Sequence, residues 1–399
     1  MQRVTIPDYV RGIVERLEWS GNKAYLVGGC VRDMLLGRYP GDWDVCTGAL
    51  PEQVMKIFPE ALPIGLKHGT VAIIRDKESV EVTTFRSDGC YIGHRRPDNV
   101  TFISELNQDL VRRDFTMNAM ASDLTGRIFD PAGGRRDLAD RVIRCVGDPA
   151  ERFHEDALRM FRALRFSAQL GFSVHKDTVQ GIRDQYGLAV YVSAERIRNE
   201  LTKTIMSSNP HCVKYIVDSG LLDKYIIRRP REVGVADMQC IKTMPMNGAL
   251  RWAGVCAVLE AGGVISSAGD FLKSLRLPQK IVRPVSKGVH LAVYEAPVTA
   301  LEWKRALADG GSEVCLCAAA GICALAGTDY SKAAETLNAV ISGGECVSIN
   351  ELAISGLELL ELGISGADVG RTLRMLLDYV LINPEHNKRE CLLELASKL

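Results

Sequence analysis

The sequence predicts an α+β protein in which a head of alternating short strands and helices is followed by a long all-helical part. Two patterns carry this prediction. Short β-branched runs alternate with helical periodicity and with Gly or Pro breaks up to about residue 142. From about residue 143 the strand patterns nearly stop, and helical segments follow. A length of 399 residues favours two to four domains.

The head begins with a helix over 7–18, predicted by apolar positions on one face. "KAYLVGG" predicts a strand ending in a glycine turn, and "VRDMLLG" predicts a helix of about two turns. "DWDVCT" predicts a strand, and "PEQVMKIF" predicts a helix opened by Pro51. "HGTVAIIRD" and "ESVEVTTFRS" predict a strand pair, and "GRIFDPAGGRRDL" a strand followed by a turn.

The charge distribution limits the possible partners. Formal net charge is zero, so any nucleic-acid surface has to be a local patch. Residues 86–165 contain fourteen Arg and no Lys, a bias that favours planar, bidentate recognition. Twelve cysteines without a C-x-x-C pair predict reduced thiols in a cytoplasmic protein. We expect no secretion signal and no membrane span, because the longest apolar stretch, 315–327, is short.

Two carboxylates lie two residues apart in "GDWDV". On a strand, alternate side chains share a face, so Asp42 and Asp44 point the same way and Trp43 points into the fold. Two such carboxylates can hold Mg²⁺, with phosphate and water completing an octahedron. Glu81, with an apolar neighbour on each side, is a candidate third carboxylate.

A phosphate site is predicted just before this pair. Gly28 and Gly29 let backbone N–H groups approach phosphate closely, and a helix over 31–36 points its positive N-terminus at them. Arg32 adds a fixed positive charge. With the carboxylates, these residues predict two-metal nucleotidyl transfer with release of pyrophosphate. Each motif alone has a simpler interpretation, such as a turn, a solvated strand end or an Arg32–Asp33 surface ion pair. The order of these motifs along the chain favours the nucleotide site over the separate simpler interpretations.

A second motif is "LVRRDFTMNAMASD", where charged residues precede an apolar stripe. Asp114 is a plausible N-cap for a helix starting there. The functional alternative is that Arg113 meets phosphate or sugar and Asp114 accepts from a ribose hydroxyl.

A third motif is "ERFHEDALRMFRALRF". On one continuous helix, Asp156 and Arg159 are i,i+3 neighbours and could form a plain ion pair. The alternative is a base reader, because cytosine and adenine each offer an amino donor beside a ring-nitrogen acceptor. Guanine and uracil present the opposite order, and a buried mispaired group costs about 1–3 kcal/mol. Arg162 and Arg165 continue the helix. Arg165 lies roughly half a turn from Asp156, so it either reaches the same nucleotide through its long side chain or faces RNA phosphate.

These motifs, in this order, resemble the bacterial-type CCA-adding tRNA nucleotidyltransferases of the poly(A) polymerase/tRNA nucleotidyltransferase family. The matching segments span residues 25–201 and are GGCVRDMLLG with DWD, EVTTFRSDGCYIGHRRP, RRDFTMNAMA, DPAGGRRDL, EDALRMFRALRF and SAERIRNEL. The resemblance implies a polymerase-β-like nucleotidyltransferase head with a small mixed sheet, and a helical neck, body and tail. The implied boundaries are a catalytic head over 1–142, a neck with the base-reading helix over 143–205, a body over 206–310 and a tail over 311–399.

The resemblance also implies the activity, which is addition of C, C and A to the tRNA 3′ end from CTP and ATP. Asp42 and Asp44 resemble the Mg²⁺ ligands, and Glu81 matches the family's third acidic position less closely. The positions matching nucleotide contacts are Gly28, Gly29, Arg32, Arg113, Asp114, Asp156, Arg159, Arg162 and Arg165. The implied partners are the tRNA acceptor arm and 3′ end, with no DNA and no membrane.

Three alternatives remain open on the sequence. A poly(A) polymerase is disfavoured by "IGLKHGTVAII", which looks more like the tRNA enzymes. A CC-only enzyme is disfavoured by a full-length loop over 86–97, and an A-only enzyme stays an alternative. A non-catalytic RNA-binding protein is disfavoured by retention of both Asp42 and Asp44.

Overall fold

A computed structural model describes residues 4–75, 77–89, 91–93, 96–229 and 237–398. The chain divides into two compact units. The first contains Met1–Leu201 and Ser219–Leu222, and the second contains Thr202–Asp218 and Asp223–Leu399. The Gly-, Met- and Pro-rich stretch around 230–249, which its composition predicts to be a hinge or loop, lies partly outside the described residues.

The first unit carries the strands. In chain order they are β1 Ala24–Val27, β2 Trp43–Thr47, β3 Leu62–Gly65, β4 Thr70–Arg75, β5 Glu78–Thr84, β6 Arg86–Asp88, β7 Tyr91–Ile92, β8 Arg96–Pro97, β9 Val100–Phe102, β10 Ala121–Ser122, β11 Ile128–Phe129, β12 Val142–Ile143 and β13 Ser173–Val174. Seven of them form one sheet in the order β11-β10-β1-β2-β5-β4-β3. The β2–β5 pair is parallel and its neighbours are antiparallel, so the sheet is mixed, as predicted.

The helices of the first unit cover this sheet and continue beyond it. They are α1 Asp8–Trp19, α2 Gly29–Leu35, α3 Pro51–Ile57, α4 Leu106–Val111, α5 Gly134–Ala139, α6 Pro149–Glu155, α7 Leu158–Leu170, α8 Lys176–Gln185 and α9 Ala194–Ile205, whose last turn belongs to the second unit. Val10, Ile13, Val14 and Leu17 bury one face of α1, as their spacing predicts. One apolar cluster lies under the sheet and α4, and includes Val27, Phe85 and Leu110.

In the described residues of the second unit, all regular secondary structure is helical. Its helices are α10 Val213–Asp218, α11 Gly248–Ala261, α12 Ala268–Ser274, α13 Gln279–Tyr294, α14 Ala300–Ala326, α15 Tyr330–Ala333, α16 Glu335–Ser342, α17 Gly356–Glu361, α18 Ala367–Ile382 and α19 Arg389–Ala396. Ten residues of α11 are buried, because α13 and α14 pack against it. A separate cluster around Leu359, Leu376 and Leu392 forms the core near the C-terminus.

One helix in the described part of the chain, α14, is long and apolar enough to cross a membrane by length and composition alone. Half of its most apolar window is buried within the protein, as in the core helix of a helical domain. Gly311 also interrupts its helical geometry, with φ 75° and ψ 175°. These features favour a core helix.

Candidate active site

Most of the predicted site residues meet in one cavity of the first unit, with a volume of about 620 Å³. Eleven of the twelve candidates line it: Gly28, Gly29, Arg32, Asp42, Asp44, Arg113, Asp114, Asp156, Arg159, Arg162 and Arg165. Eight arginines and five aspartates are among its lining residues. This excess of guanidinium groups suits a polyanion such as a triphosphate, which planar guanidinium groups bind bidentately.

The acidic part of the cavity follows from strand geometry. Trp43 opens β2 and is buried, whereas Asp42 is exposed and Asp44 is partly buried on the opposite face. Asp44 pairs in register with Glu81 of the parallel strand β5. Glu81 is exposed and lines a second cavity of about 250 Å³, which it shares with Asp44 and Arg113. The predicted facing of Asp42, Trp43 and Asp44 is therefore confirmed, and Glu81 lies beside the main cavity.

The electrostatics of Asp44 fit a cation. Burial, together with the negative charges of Glu81 and Asp42, raises the pKa of its carboxyl group to about 6, although Arg113 acts to lower it. Within the described residues no cluster of three or more His, Cys, Asp or Glu side chains could hold a metal ion. Asp42 and Asp44 could thus supply two oxygen ligands to Mg²⁺, while phosphate and water would complete its shell.

A glycine turn lets the backbone approach these groups. Gly28 has φ 76°, a conformation that side chains rarely adopt. A Cβ atom there would lie 3.2 Å from Arg113 Nη1 and 4.0 Å from Asp44 Oδ2. The helix that follows, α2, begins at Gly29, two residues earlier than the sequence predicted. Gly28 therefore keeps the space between the acidic pair and Arg113 open.

Arg32 is held in place by two partners. It donates to both carboxylate oxygens of Asp33, at 2.9 and 3.0 Å, so the predicted ion pair exists. The pair is not fully solvated, because only 12% of the Arg32 side chain is exposed. Arg32 Nη1 also donates to Asn118 Oδ1 at 2.9 Å. Arg32 is thus fixed across the cavity wall, and its role goes beyond a surface ion pair.

Asp114 is not the N-cap that the sequence suggested. The apolar stripe after it forms a short 3-10 turn over Thr116–Asn118 and then enters strand β10, and the residue before that turn is Phe115. The stripe is apolar because it runs through the centre of the head, where every residue from 115 to 122 is buried. The N-cap prediction failed because a buried strand and a helix start share the same composition.

The carboxylate of Asp114 accepts three hydrogen bonds and forms one further close contact with a guanidinium nitrogen. Oδ1 accepts from the Phe115 N–H at 2.8 Å and from Asn118 Nδ2 at 3.2 Å. Oδ2 accepts from Arg162 Nε at 2.7 Å and lies 2.6 Å from Arg162 Nη2 in the same ion pair. Burial opposes ionisation of this group, but the charges of Arg162 and Arg159 outweigh it and lower the pKa of Asp114 to about 2.

Two further arginines share one buried anchor. Asp109 is fully buried and accepts from Arg112 Nη2 at 2.7 Å and from Arg113 Nη2 at 3.0 Å. Arg113 Nε is buried and has no hydrogen-bond partner in the described part of the protein. A buried donor without a partner is costly.

The third motif is not one continuous helix. Helix α6 ends at Glu155, and Asp156 has an extended backbone with φ −141° and ψ 104° before α7 begins at Leu158. The predicted helix over 151–166 is therefore wrong at this point. The break turns the Asp156 side chain away from the i,i+3 position and towards α9, where its carboxylate accepts from both Arg196 Nη1 and Nη2, at 3.1 and 2.7 Å.

Arg159 is held separately. Its side chain is 10% exposed and donates to Glu155 Oε2 at 2.5 Å and to the Arg112 carbonyl oxygen at 3.2 Å. Arg159 and Asp156 still line the same cavity, so the pair that the sequence singled out does face one ligand space. Arg196 holds Asp156 and Glu155 holds Arg159, so different partners position the two side chains.

Arg162 and Arg165 pack around one aromatic ring. Their guanidinium carbons lie 5.3 and 3.8 Å from the centroid of the Phe166 ring, and that of Arg32 lies 5.3 Å from it. Arg165 also pairs with Glu200 through Nε at 2.5 Å. These contacts place three cations against a phenyl ring that lines the cavity.

Sequence reasoning missed several residues of the site. Asp109 and Asn118 position arginines, and Arg196 holds Asp156 from 40 residues away. Arg196 lies in "SAERIRNEL", so the resemblance contained a signal for it, but no spacing rule connects it to Asp156. The Asp109–Arg113 pair has i,i+4 spacing, a signal that the sequence contains. The Arg196–Asp156 and Asn118–Arg32 pairs join positions 40 and 86 residues apart and are visible only in the folded chain.

Comparisons with known proteins identify the family of this chain. Residues 24–144 match a family model described as the poly A polymerase head domain, and residues 171–226 match one described as a probable RNA and SrmB-binding site of polymerase A. A CCA-adding enzyme of Geobacillus sp. (strain WCH70) is 36% identical over 94% of this chain and 92% of its own. One of Anoxybacillus flavithermus (strain DSM 21510 / WK1) is 53% identical over 68% of each chain. The solved Bacillus stearothermophilus CCA-adding enzyme in complex with CTP has a TM-score of 0.83 and 32% identity, covering 98% of both chains.

The polymerase-type head and the identity along nearly the whole chain lead to the same assignment, and this protein belongs to the CCA-adding enzymes.

Proposed function

We propose that this protein adds C, C and A to the 3′ end of tRNA, using CTP and ATP and no nucleic-acid template. One observation carries the proposal: the acidic pair Asp42 and Asp44 and the base-reading candidates Asp156 and Arg159 line a single cavity. A nucleotide has its triphosphate at one end and its base at the other, so one ligand can engage both pairs. The solved relative that holds CTP supports this use of the site.

The acidic pair would hold Mg²⁺. Bound there, the ion would favour ionisation of the tRNA 3′ hydroxyl and neutralise charge on the departing pyrophosphate. Asp42 and Asp44 supply the oxygen ligands, and Arg113 lies beside them with its unpartnered Nε. Glu81 stays a candidate third carboxylate, because it neighbours Asp44 in register but lies at the adjoining cavity.

The triphosphate would lie against the arginine-rich wall. Arg32 and Arg113 are both held by buried or half-buried carboxylates, so their guanidinium groups are ordered before a ligand arrives. Preordered donors bind an anion without a further loss of side-chain entropy. Gly28 and Gly29 leave room for phosphate between them and the acidic pair.

Base selection would depend on one oxygen of Asp156. Oδ1 already accepts from the Leu158 N–H at 3.0 Å and from Arg196 Nη1, whereas Oδ2 accepts only from Arg196 Nη2. A carboxylate oxygen has two acceptor directions, so Oδ2 keeps one for the N4 amino group of cytosine or the N6 amino group of adenine. Arg159 would donate to cytosine N3 or adenine N1. Uracil and guanine present a carbonyl oxygen to Asp156, which repels them.

Asp114 would act mainly through Arg162. Its carboxylate already accepts three hydrogen bonds and contacts Arg162 Nη2 as well, so a ribose hydroxyl has to compete with these partners. We therefore expect Asp114 to fix the position of Arg162 and of Asn118, which in turn holds Arg32.

The remaining assignments complete the proposal. The catalytic head covers 1–142, the neck 143–205, the body 206–310 and the tail 311–399, with the body and tail binding tRNA by shape and phosphate contacts. We place the activity in the cytoplasm, where tRNA is processed. The loop over 86–97, used to weigh a CC-only enzyme, lies partly outside the described residues.

One assay tests the activity. Purified protein is incubated with tRNA lacking its 3′ CCA and with each nucleotide separately and together. We expect two C residues from CTP alone, one A once C-C is present, and no addition from UTP or GTP. Addition that stops after C-C, or that requires a tRNA already ending in C-C, would indicate a partial enzyme. Long A tracts would indicate a poly(A) polymerase.

The metal site has its own test. We expect Asp42→Ala and Asp44→Ala each to abolish nucleotide addition while the circular dichroism spectrum is unchanged, since neither carboxylate lies in the apolar core. Near-normal turnover of either variant with Mg²⁺ would contradict the assignment.

The base reader is tested by selectivity. Asp156→Ala removes the acceptor for the amino group and should relax discrimination against UTP and GTP by about ten- to a hundredfold, the equivalent of about 1–3 kcal/mol. Arg159→Ala should weaken CTP and ATP together. The measurement is kcat/KM for all four nucleotides on tRNAs ending at successive 3′ positions. If both variants keep the wild-type preference, selection lies elsewhere and the two residues are structural.

A further inference from the structure

Helix α13 of the second unit lies in a stretch of unusual charge. Residues 271–294 contain five Lys and Arg and no Asp or Glu, in a chain whose formal net charge is zero. This stretch lies outside residues 171–226, the segment that matches an RNA-binding model. A local excess of this kind is the electrostatic signature of a polyanion-binding surface.

Three of these cations share one helix face. Lys280, Arg283 and Lys287 are all exposed, and at 100° per residue they fall within about 60° of one another on α13. They span about 10 Å of helix. The opposite face of α13 is buried and includes Val282, Val285 and Val289, so the helix cannot rotate this basic face inwards.

No carboxylate neutralises the basic face. Among the described residues, none of Lys280, Arg283 and Lys287 has an ion-pair partner within 4.0 Å, although Lys273 and His290 nearby do. Other exposed arginines, such as Arg371 and Arg389, do contact acidic side chains. Three cations without an ion-pair partner on one face leave their charge available to an external anion.

Acidic side chains adjoin the face through two recesses, and Lys287 lines one of them together with Asp309 and Glu295. Lys280 and Arg283 line a cavity of about 540 Å³ together with Asn247, Gln279 and Glu313. Glu313 is exposed, so it lowers the local potential without forming an ion pair with either cation. This arrangement predicts opposite effects for removing the cations and for removing Glu313.

We propose that the basic face of α13, formed by Lys280, Arg283 and Lys287, binds the phosphodiester backbone of tRNA. The inference rests on the proposed function, which supplies the RNA. Because the chain as a whole is neutral, a local face has to provide the attraction, and this face carries no sequence information. It therefore holds the tRNA during addition without influencing which nucleotide is added.

The test is the salt dependence of tRNA binding. Three phosphate contacts contribute about 2 to 3 to the slope of log K against log salt. The triple variant Lys280→Gln, Arg283→Gln, Lys287→Gln should lose that part of the slope. Raising salt from 50 to 200 mM weakens binding of both proteins. The factor by which the variant weakens should be about twenty- to fortyfold smaller than the wild-type factor. The probe is tRNA lacking its 3′ CCA, followed by fluorescence anisotropy.

A matched variant controls for charge. Lys23→Gln, Arg38→Gln, Lys56→Gln removes three exposed cations from the first unit and should leave the slope unchanged. Glu313→Gln should tighten binding about two- to fivefold at low salt, the size expected for one exposed charge.

Kinetics separate this inference from the proposed function. The triple variant should raise KM for tRNA and leave kcat and KM for CTP unchanged. A wild-type slope in the triple variant, with nucleotide addition intact, would overturn the basic face as an RNA contact. Failure of the wild-type protein to add nucleotides to any tRNA would overturn the proposed function instead.

Discussion

The ion pair between Asp114 and Arg162 links the stability of the head to the order of its nucleotide site. The Asp114 side chain is 10% exposed and its pKa is held at about 2, against an ordinary value of 3.8. This gap corresponds to about 2.5 kcal/mol of stability. Because the pKa is lower in the folded protein, that stability is fully present above about pH 4 and is lost as pH falls towards 2.

The perturbation is Arg162→Met, which keeps the length of the side chain and removes its charge. Breaking a buried ion pair costs about 3–5 kcal/mol, but a third of the Arg162 side chain is exposed, so water screens part of the effect. We expect the head to lose about 2–3 kcal/mol at pH 7. Without the charge of Arg162, burial raises the pKa of Asp114 in the folded variant, so the carboxyl group is protonated there at pH 3.5 at little cost. The stability difference between variant and wild type should therefore shrink by about 1–2 kcal/mol at pH 3.5.

The assay is amide hydrogen exchange followed by mass spectrometry, since two compact units need not unfold together. Peptides from β2 and α7 report the opening free energy of the first unit. The control is Arg136→Met, whose partner Asp140 is exposed and 3.7 Å away, and which should cost under about 1 kcal/mol. Equal costs for the two variants at pH 7, or a deficit that does not change with pH, would refute the reasoning.

Two further predictions concern positions that sequence spacing does not reveal. Arg196→Ala removes the two guanidinium hydrogen bonds that orient the Asp156 carboxylate, so discrimination against UTP should fall about tenfold in kcat/KM. Arg196→Lys keeps the charge but not the bidentate geometry, and should not restore selectivity. Arg198→Ala on the same helix, where the side chain donates to its neighbour Asn199, should leave selectivity unchanged, and an equal loss in both would contradict the role of Arg196. Gly134→Ala should destabilise the head by about 1–3 kcal/mol in the exchange assay, because its Cβ would lie 2.2 Å from the Thr116 carbonyl oxygen. A wild-type opening free energy would show that the backbone yields at low cost.

The sequence determined those features that depend on neighbours along the chain. Alternation on a strand is a local property, so the inward Trp43 between outward Asp42 and Asp44 could be derived from three letters. The glycine turn at Gly28 and the apolar face of α1 follow from equally local rules. The mixed head and the helical remainder follow from the change in periodicity near residue 143.

Tertiary structure decided how the site residues are supported. The helix break at Asp156 redirects its carboxylate to Arg196, and the stripe after Asp114 forms a buried 3-10 turn and a short strand because it runs through the centre of the head. Asn118 became a site residue only when the chain brought Arg32 to it from 86 residues away, whereas Asp109 and Arg113 pair at the local i,i+4 spacing. Partners 40 or more residues apart leave no periodic trace, because side-chain direction and burial at such sites depend on the packing of whole elements.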